Sequence, residues 1–374
     1  MKKTAVNTSI VKRGTALLLA AALAAGALCG CGSSQTSAGS SAADETEAAD
    51  ETKAAADDGE LTQIDSLKIA FSPYADADEI TTCTQPLEDL LYEALLAKGY
   101  DVQDIDMTVG TSYTAVGEAL SAGSADLGFI SGGNYVIFSD DCDVLLTALR
   151  YAINKDSEEA ADWNDGTPEA NTEEMSTYYR SIMIAGPSEK GQELLSKVNA
   201  GEELTWDDLN DATWAVLSPT SASGYIYPAL WLQEHYGKTI SDLDNVIECD
   251  SHTTELARLA SGQADIMVSY GHIRLKNEEA WESDLGGTAG IYEQTGIIGV
   301  TEPIYNDMIA WSYASDVMND EAFRQAVGEA FIEIAQTEEG REIFSVFSQV
   351  GYEWGDDANY DGEREAQELL KSLQ

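Results

Sequence analysis

One stretch of this sequence is written twice. Ala119-Leu120-Ser121-Ala122-Gly123-Ser124-Ala125-Asp126-Leu127 aligns with Arg258-Leu259-Ala260-Ser261-Gly262-Gln263-Ala264-Asp265-Ile266. In both copies a helical pattern ends on glycine, two residues follow, and an aspartate precedes a short apolar run. Glycine closes helices in the left-handed conformation, and a short apolar run between turn signals reads as a buried strand. One such helix-to-strand unit in each half implies two similar α/β lobes facing each other. Ligands of open α/β sheets sit beyond the carboxyl ends of the strands. Ser131 to Tyr135 and Tyr270 to His272 follow the two strands and are expected to look into a shared cleft.

The remaining segments fit that plan. Leu67 to Phe71 reads as a buried strand ended by Ser72-Pro73-Tyr74. Pro86 to Leu96 reads as a helix with Leu87, Leu90, Leu91 and Leu95 on one face, stopped by Gly99. Asn154 to Thr177 is acidic and lacks apolar periodicity, so it is expected to be a surface excursion near the hinge. Tyr178 to Ala185 restarts with strand character and marks the crossover between lobes. A second crossover is expected near Gly286 to Ile291, and a helical region from Glu321 to about Phe347 is expected to break at Gly340. The fold expected is therefore α/β, with a ligand cleft between two lobes joined by two crossover strands. Residues 65–152 and 287–374 would form the first lobe and residues 153–286 the second.

The first thirty residues stand apart from this body. Lys2, Lys3, Lys12 and Arg13 precede a short apolar run, Ala16 to Leu23, the layout of a secretory signal too short to span a membrane. Leu28-Cys29-Gly30-Cys31 resembles the bacterial lipobox, in which the cysteine after a small residue receives the lipid. Residues 1–30 then form a lipoprotein signal peptide, Cys31 is the lipidated (palmitate-bearing) residue, and the mature chain is anchored at the extracytoplasmic face of the cell membrane. Each buried methylene of the anchor contributes roughly 0.8 kcal/mol. Residues 31–64, small, polar and then acidic, are expected to be a disordered tether.

Charge narrows the function. The formal net charge is −47, and it falls to about −51 once the four basic residues of the signal are removed. A phosphate backbone is repelled by such a surface, so nucleic acid is excluded as a partner, and a soluble monomer is expected. Cys83, Cys142 and Cys249 follow no zinc spacing and read as small buried hydrophobes. The three histidines, His235, His252 and His272, show no metal-ligand spacing. No cofactor and no metal are expected.

The residues most able to recognise a ligand follow Trp214 to Leu217, which reads as a buried strand. Ser218-Pro219-Thr220-Ser221-Ala222-Ser223-Gly224-Tyr225 comes next, and Ile226 to Tyr236 reads as a helix. Free N–H groups and the positive dipole end at such a helix start favour an anion. Hydroxyls add donors that rotate to suit. A single hydroxyl suffices for a helix cap, and this loop offers four.

This loop resembles the Ser-Thr-Ser-Gly loop of the phosphonate, phosphite and phosphate-ester binding proteins of ABC importers. Asp207 to Asp211 resembles an Asp-Leu element of that family. Ser112 to Val116 through Asp126, His252 to Asp265, Glu302 to Asp307, and Gly351 to Trp354 with Asp356 to Asp361 are similar to further family stretches. The likeness covers roughly residues 66 to 362. It implies a type II periplasmic-binding-protein-like (Venus flytrap) fold, a small anionic or polar solute, and a permease as partner.

Carried over by position, the resemblance implies that Ser221 and Ser223 hold the oxyanion, beside Thr220, Ala222 and Tyr225. Gly224 would let the backbone approach the ligand. Tyr113 and Tyr135, with Ser131, would close the cleft from the first lobe. His252 would donate from the second, and Tyr270 and His272 would read the ligand's other end. Asp265 is expected to be structural, like Asp126. Ala222 stands where the family often has threonine, so one side-chain donor is lost and other head groups come into play.

A hydrolase is disfavoured, because Thr220 to Gly224 lacks the Gly-x-Ser-x-Gly elbow. Transport of a phosphonate-like oxyanion is the leading reading. A sulfonate, a phosphorylated vitamin precursor, or a surface sensor or adhesin without transport are the alternatives.

Overall fold

The computed structural model describes Leu61 to Leu373 apart from Asp76 and Thr220. The readings of residues 1–60, including the signal and Cys31, and that of Thr220 lie outside the described residues. Along the chain the first strands are β1 Thr62–Ile64, β2 Leu67–Phe71, β3 Tyr100–Val102, β4 Ile105–Val109, β5 Leu127–Ile130, β6 Cys142–Ile153 and β7 Asn171–Ser176. They continue as β8 Tyr178–Ala185, β9 Trp214–Val216, β10 Val246–Glu248, β11 Ile266–Tyr270, β12 Gly296–Tyr305, β13 Met308–Ser312 and β14 Gly351–Trp354.

Two main sheets result. The first has the order β14-β6-β13-β5-β2-β4, with β7 on the flank of β6; the second has the order β10-β9-β11-β8-β12. Strands β4, β2 and β5 are mutually parallel, and β13 and then β6 follow antiparallel. Strands β10, β9 and β11 are likewise parallel, with β8 and then β12 antiparallel. The two lobes therefore share one five-strand order and direction.

The doubled sequence unit explains part of this likeness atom by atom. Asp126 accepts from Lys68 N at 2.8 Å and from Ser315 Oγ at 2.6 Å, tying the starts of β5 and β2 to the chain after β13. Asp265 accepts from Thr213 N at 2.8 Å and from Ser188 Oγ at 2.6 Å, tying β11 and β9 to the chain after β8. Both serines in turn accept a backbone N–H, from Met318 and Gly191. Gly123 and Gly262 end the preceding helices at φ 68° and 69°, where any side chain is strained. The structural role expected for Asp265 is the one observed.

Packing follows the apolar patterns. All four residues of β5 are buried, as expected of a strand covered on both faces. Phe129 lies among Phe71, Phe331, Phe344, Phe347 and Tyr352 under the helices Leu87–Ala97, Glu321–Gln336 and Glu338–Phe344. In the second lobe Trp214, fully buried, donates its indole N–H to Leu209 O at 2.9 Å. Cys142 and Cys249 are buried, Cys83 is half-buried, and all three are free thiols. Among the described residues no helix is long and apolar enough to cross a membrane.

Several sequence expectations need correction. Residues 62–64 are not tether: β1 pairs in parallel with β3, and Gln103 N donates to Ile64 O. Part of the excursion at 154–177 is ordered as β7, and Trp163 within it is buried in the second-lobe core. Strand β12 stays in the second sheet, paired to β8, so the return to the first lobe is at Asn306-Asp307 and not near Gly286 to Ile291. The apolar run Gly296 to Val300 fits a buried strand of either lobe, which is why spacing misplaced the crossing. The late helical region breaks at Thr337, whose hydroxyl accepts from Gly340 N at 2.9 Å and starts a second helix.

The two crossings are tied together. Asn306 donates from its backbone to Thr177 O at 2.7 Å, and from its side chain to Ala148 O at 3.0 Å and Ser176 O at 2.9 Å.

Candidate functional site

The hydroxyl-rich loop is locked by its own backbone. Leu217 N donates to Gly224 O at 2.9 Å, and Ser221 N donates to Ser218 O at 3.0 Å. Ser221 Oγ accepts from Gly224 N at 3.1 Å. Ala222 to Ile226 form a wide i→i+5 turn that runs into the helix Tyr227–Tyr236. Ser221 thus performs the capping role. Its hydroxyl proton is not used by that bond, since a hydroxyl both donates and accepts, so capping and ligand contact are compatible.

Two buried serines hold the loop against the sheet. Ser181 Oγ on β8, fully buried, donates to Ser223 O at 2.7 Å and also lies 3.2 Å from Ser269 O on β11. Ser223 is itself buried and lies beside Tyr179. Gly224 is also required by packing, since a Cβ there would lie 2.7–2.8 Å from Leu217 side-chain atoms. Ala222 packs beside Ile226 and Tyr227, and Tyr225 against the second-lobe core.

His252 opens the helix His252–Ala260, which Ser251 caps. Its Nδ1 lies 2.7 Å from Glu255 Oε2 and 3.0 Å from Ser269 Oγ, and the Tyr270 ring stands edge-on at 5.1 Å. Glu255 is fully buried. Burial pushes its carboxyl up to about 9 and holds His252 down at about 4. At neutral pH a protonated Glu255 donates to an unprotonated Nδ1, which leaves the proton of the imidazole on Nε2. The partly exposed ring then offers a neutral N–H donor.

The first lobe contributes differently from the expectation. Tyr113 is 39 % exposed and lies within electrostatic reach of Asp307 and Tyr74. Asn134 Nδ2 steadies its backbone by donating to Tyr113 O at 2.6 Å. Tyr135, expected to close the cleft, is buried against Tyr360 and donates to Asp357, so it belongs to the lobe's packing. Gly132 and Gly133 let the helix Gly132–Phe138 lie close to Tyr360 and Glu363. Ser131 caps that helix through Asn134 N at 3.3 Å. Tyr270 keeps its place beside His252, with Lys276 Nζ 5.2 Å from the ring centre. His272 Nε2 lies 3.3 Å from Tyr151 O, a contact across the first crossing.

Sequence reasoning missed the floor of the site. Asp307 lies just after the second crossing, with Arg150 Nη2 3.4 Å from its Oδ2 and Tyr113 and Tyr179 near it. Burial raises the Asp307 carboxyl and Arg150 pulls it back. Ser72 Oγ, at the carboxyl end of β2, is buried with no partner. The Glu255 carboxyl was legible from its spacing, three residues after His252 on a helix. Asp307 ends the Glu302 to Asp307 stretch that carries part of the family resemblance, but nothing in its spacing or that of Ser72 singles out either residue.

Comparison with known proteins gives the family. Residues 69–360 match the family described as ABC transporter, phosphonate, periplasmic substrate-binding protein. No curated protein matches the chain. Among solved structures, the Mycoplasma hyorhinis protein Mh-p37, a candidate thiamine pyrophosphate transporter, is similar with a TM-score of 0.58 and 14% identity, over 83% of this chain and 99% of that one. XAC2383 from Xanthomonas citri, solved with ATP bound, is similar with a TM-score of 0.52 and 12% identity, over 82% of this chain and 98% of that one. PhnD1 from Prochlorococcus marinus in complex with methylphosphonate has a TM-score of 0.48 and 14% identity, over 82% and 98%. The family match along residues 69–360 of this two-lobed α/β body places the chain in the family of ABC transporter phosphonate-type periplasmic substrate-binding proteins.

Proposed function

We propose that this chain captures a small phosphorus oxyanion, phosphonate-like in shape, between its two lobes and delivers it to an ABC permease while tethered to the membrane through Cys31. The observation that carries the reading is the Ser221–Gly224 loop. It is held rigid by Ser181 and by its own cap, so the donors at the helix start are ordered before a ligand arrives. Donors fixed in advance lose little freedom on binding. The His252 Nε2–H and the Tyr113 hydroxyl supply neutral donors from the two sides.

Hydrogen bonds to a charged group contribute about 1.5–3 kcal/mol each, so a few of them support a micromolar constant, about −8 kcal/mol. Neutral donors suit a carrier that must release its cargo. Arg150 is engaged by Asp307 and is not set as an Arg clamp on the loop.

A second reading is favoured by the floor of the cleft. Asp307 and the tyrosines 113 and 179 suit a solute that carries a cationic or aromatic part beside its oxyanion. Phosphorylated vitamin precursors and aminoalkylphosphonates are of this kind.

A thermal-shift screen decides between them. The panel holds phosphite, phosphate, methylphosphonate, an aminoalkylphosphonate, thiamine pyrophosphate and an alkylsulfonate. A ligand at about a hundredfold its Kd adds roughly 2.7 kcal/mol of stability. A shift with phosphorus oxyanions supports the first reading, and a shift confined to solutes with a cationic part supports the second. A shift with the sulfonate alone rejects both.

A further inference from the structure

The chain crosses between the lobes a third time. Strand β14 and the turn Asp357–Tyr360 belong to the first lobe: β14 pairs with β6, and the buried Tyr360 donates to Asn306 O at 3.0 Å. The C-terminal helix Asp361–Leu373 then leaves that lobe. Ala366, fully buried, packs with Ile226, Tyr227 and Ile304, and Leu369 enters the second-lobe core beside Leu232 and Ile298. This also corrects the expectation that residues 287–374 belong wholly to the first lobe. The apolar face of the last helix is shared, so sequence spacing alone did not assign it.

At the crossing sits Glu363, 7 % exposed. Its Oε2 accepts from the Tyr227 hydroxyl of the second lobe at 3.1 Å. Its Oε1 approaches Gly133 of the first lobe so closely that a Cβ on that glycine would lie 2.8 Å away. One carboxyl therefore touches both lobes. Arg364 pairs with Asp357 and Asp361 and fixes the start of the helix to the first lobe. A groove of about 1270 Å³, lined by Trp231, His235, Glu365 and Glu368 among others, runs beside the helix.

We propose that the C-terminal helix is a clasp that sets how far the two lobes open, with the Glu363–Tyr227 contact as its catch. Rotation about the two crossings at Ser176-Thr177 and Asn306-Asp307 leaves those strands intact. The same rotation moves Gly133 away from Tyr227, and Glu363 cannot follow both. Opening therefore requires the catch to release or the helix to leave one lobe. The clasp rests on the two-lobed hinge and not on which solute is bound.

The test uses the full chain without any solute. Glu363→Ala and Leu369→Ser, each in the full chain, are compared with wild type by small-angle scattering and by amide hydrogen exchange over Tyr227–Leu232. Both variants are expected to show a larger radius of gyration and faster exchange there, by about ten- to a hundredfold for loss of a buried bond to a charged group. Exchange in β5, within the first-lobe core, is expected to be unchanged, which separates release of the clasp from loss of folding. Tyr227→Phe should reproduce Glu363→Ala, and the double variant should add nothing further. Unchanged scattering and unchanged exchange at Tyr227–Leu232 in both single variants would overturn the proposal. Because no solute is present, that result would leave the solute reading untouched.

Discussion

Replacing Glu255 by glutamine tests how His252 is held. The glutamine amide can still donate to Nδ1, so the Nε2–H is kept while the ionisable group is removed. In the unfolded chain Glu255 titrates near 4.5, whereas burial moves it to about 9 in the folded protein. Between those values the unfolded chain has lost the proton that the native state retains. Stability is then lost as pH rises, at about 1.4 kcal/mol per pH unit for one proton. From about pH 7 to about pH 8.5 this group alone removes roughly 2 kcal/mol. His252 does not interfere in that window. Its folded value of about 4 lies below its unfolded 6.5, so its contribution is lost only as pH falls below about 6.5. Urea titrations of wild type and Glu255→Gln at the two pH values read the difference directly. Wild type should lose about 2 kcal/mol more than the variant. Equal losses would mean that the native pair binds no proton in this window, a carboxylate accepting from the Nδ1–H of a neutral imidazole, and the Nε2–H donor account of His252 would be wrong.

Other consequences follow from the packing. Gly224→Ala should cost about 1–3 kcal/mol, read as a lower urea midpoint, because the new methyl overlaps Leu217. A loss of binding with stability unchanged would show that the glycine serves the ligand and not the packing. Asp126→Ala and Asp265→Ala should each cost about 1–3 kcal/mol, and by similar amounts, since each strips an acceptor from a strand N–H and a capping serine. A large effect in one lobe and none in the other would break the equivalence of the two units.

How much of this was legible depends on whether a feature is local. The Gly-x-x-Asp unit was readable because both its parts act within a few residues: the glycine ends a helix and the aspartate starts a strand. The hydroxyl loop was readable for the same reason. The second crossing was not, because Gly296 to Val300 is apolar and fits a buried strand of either lobe, and its partner β8 lies more than a hundred residues earlier. Tyr135 was misread because an aromatic residue after a strand faces a cleft or a core with the same spacing. Only its tertiary partners, Asp357 and Tyr360, decide which. The packing demand on Gly224 was not legible either, since the atoms that crowd a side chain there belong to Leu217, on the far side of the turn. Asp307 and Arg150 come from separate stretches, as do Glu363 and Tyr227, and no local pattern announces either meeting.

Isothermal titration of wild type and Ser221→Ala with methylphosphonate and phosphite tests the central claim most directly. Ser221 both caps the turn and offers its proton to the solute, so the account expects saturable binding to wild type with a constant in the micromolar range, about −8 kcal/mol. It expects Ser221→Ala to weaken that binding by roughly ten- to a hundredfold, the loss of one hydrogen bond to a charged ligand. Binding that is equally tight in the variant, or no binding of either oxyanion to wild type, would contradict it.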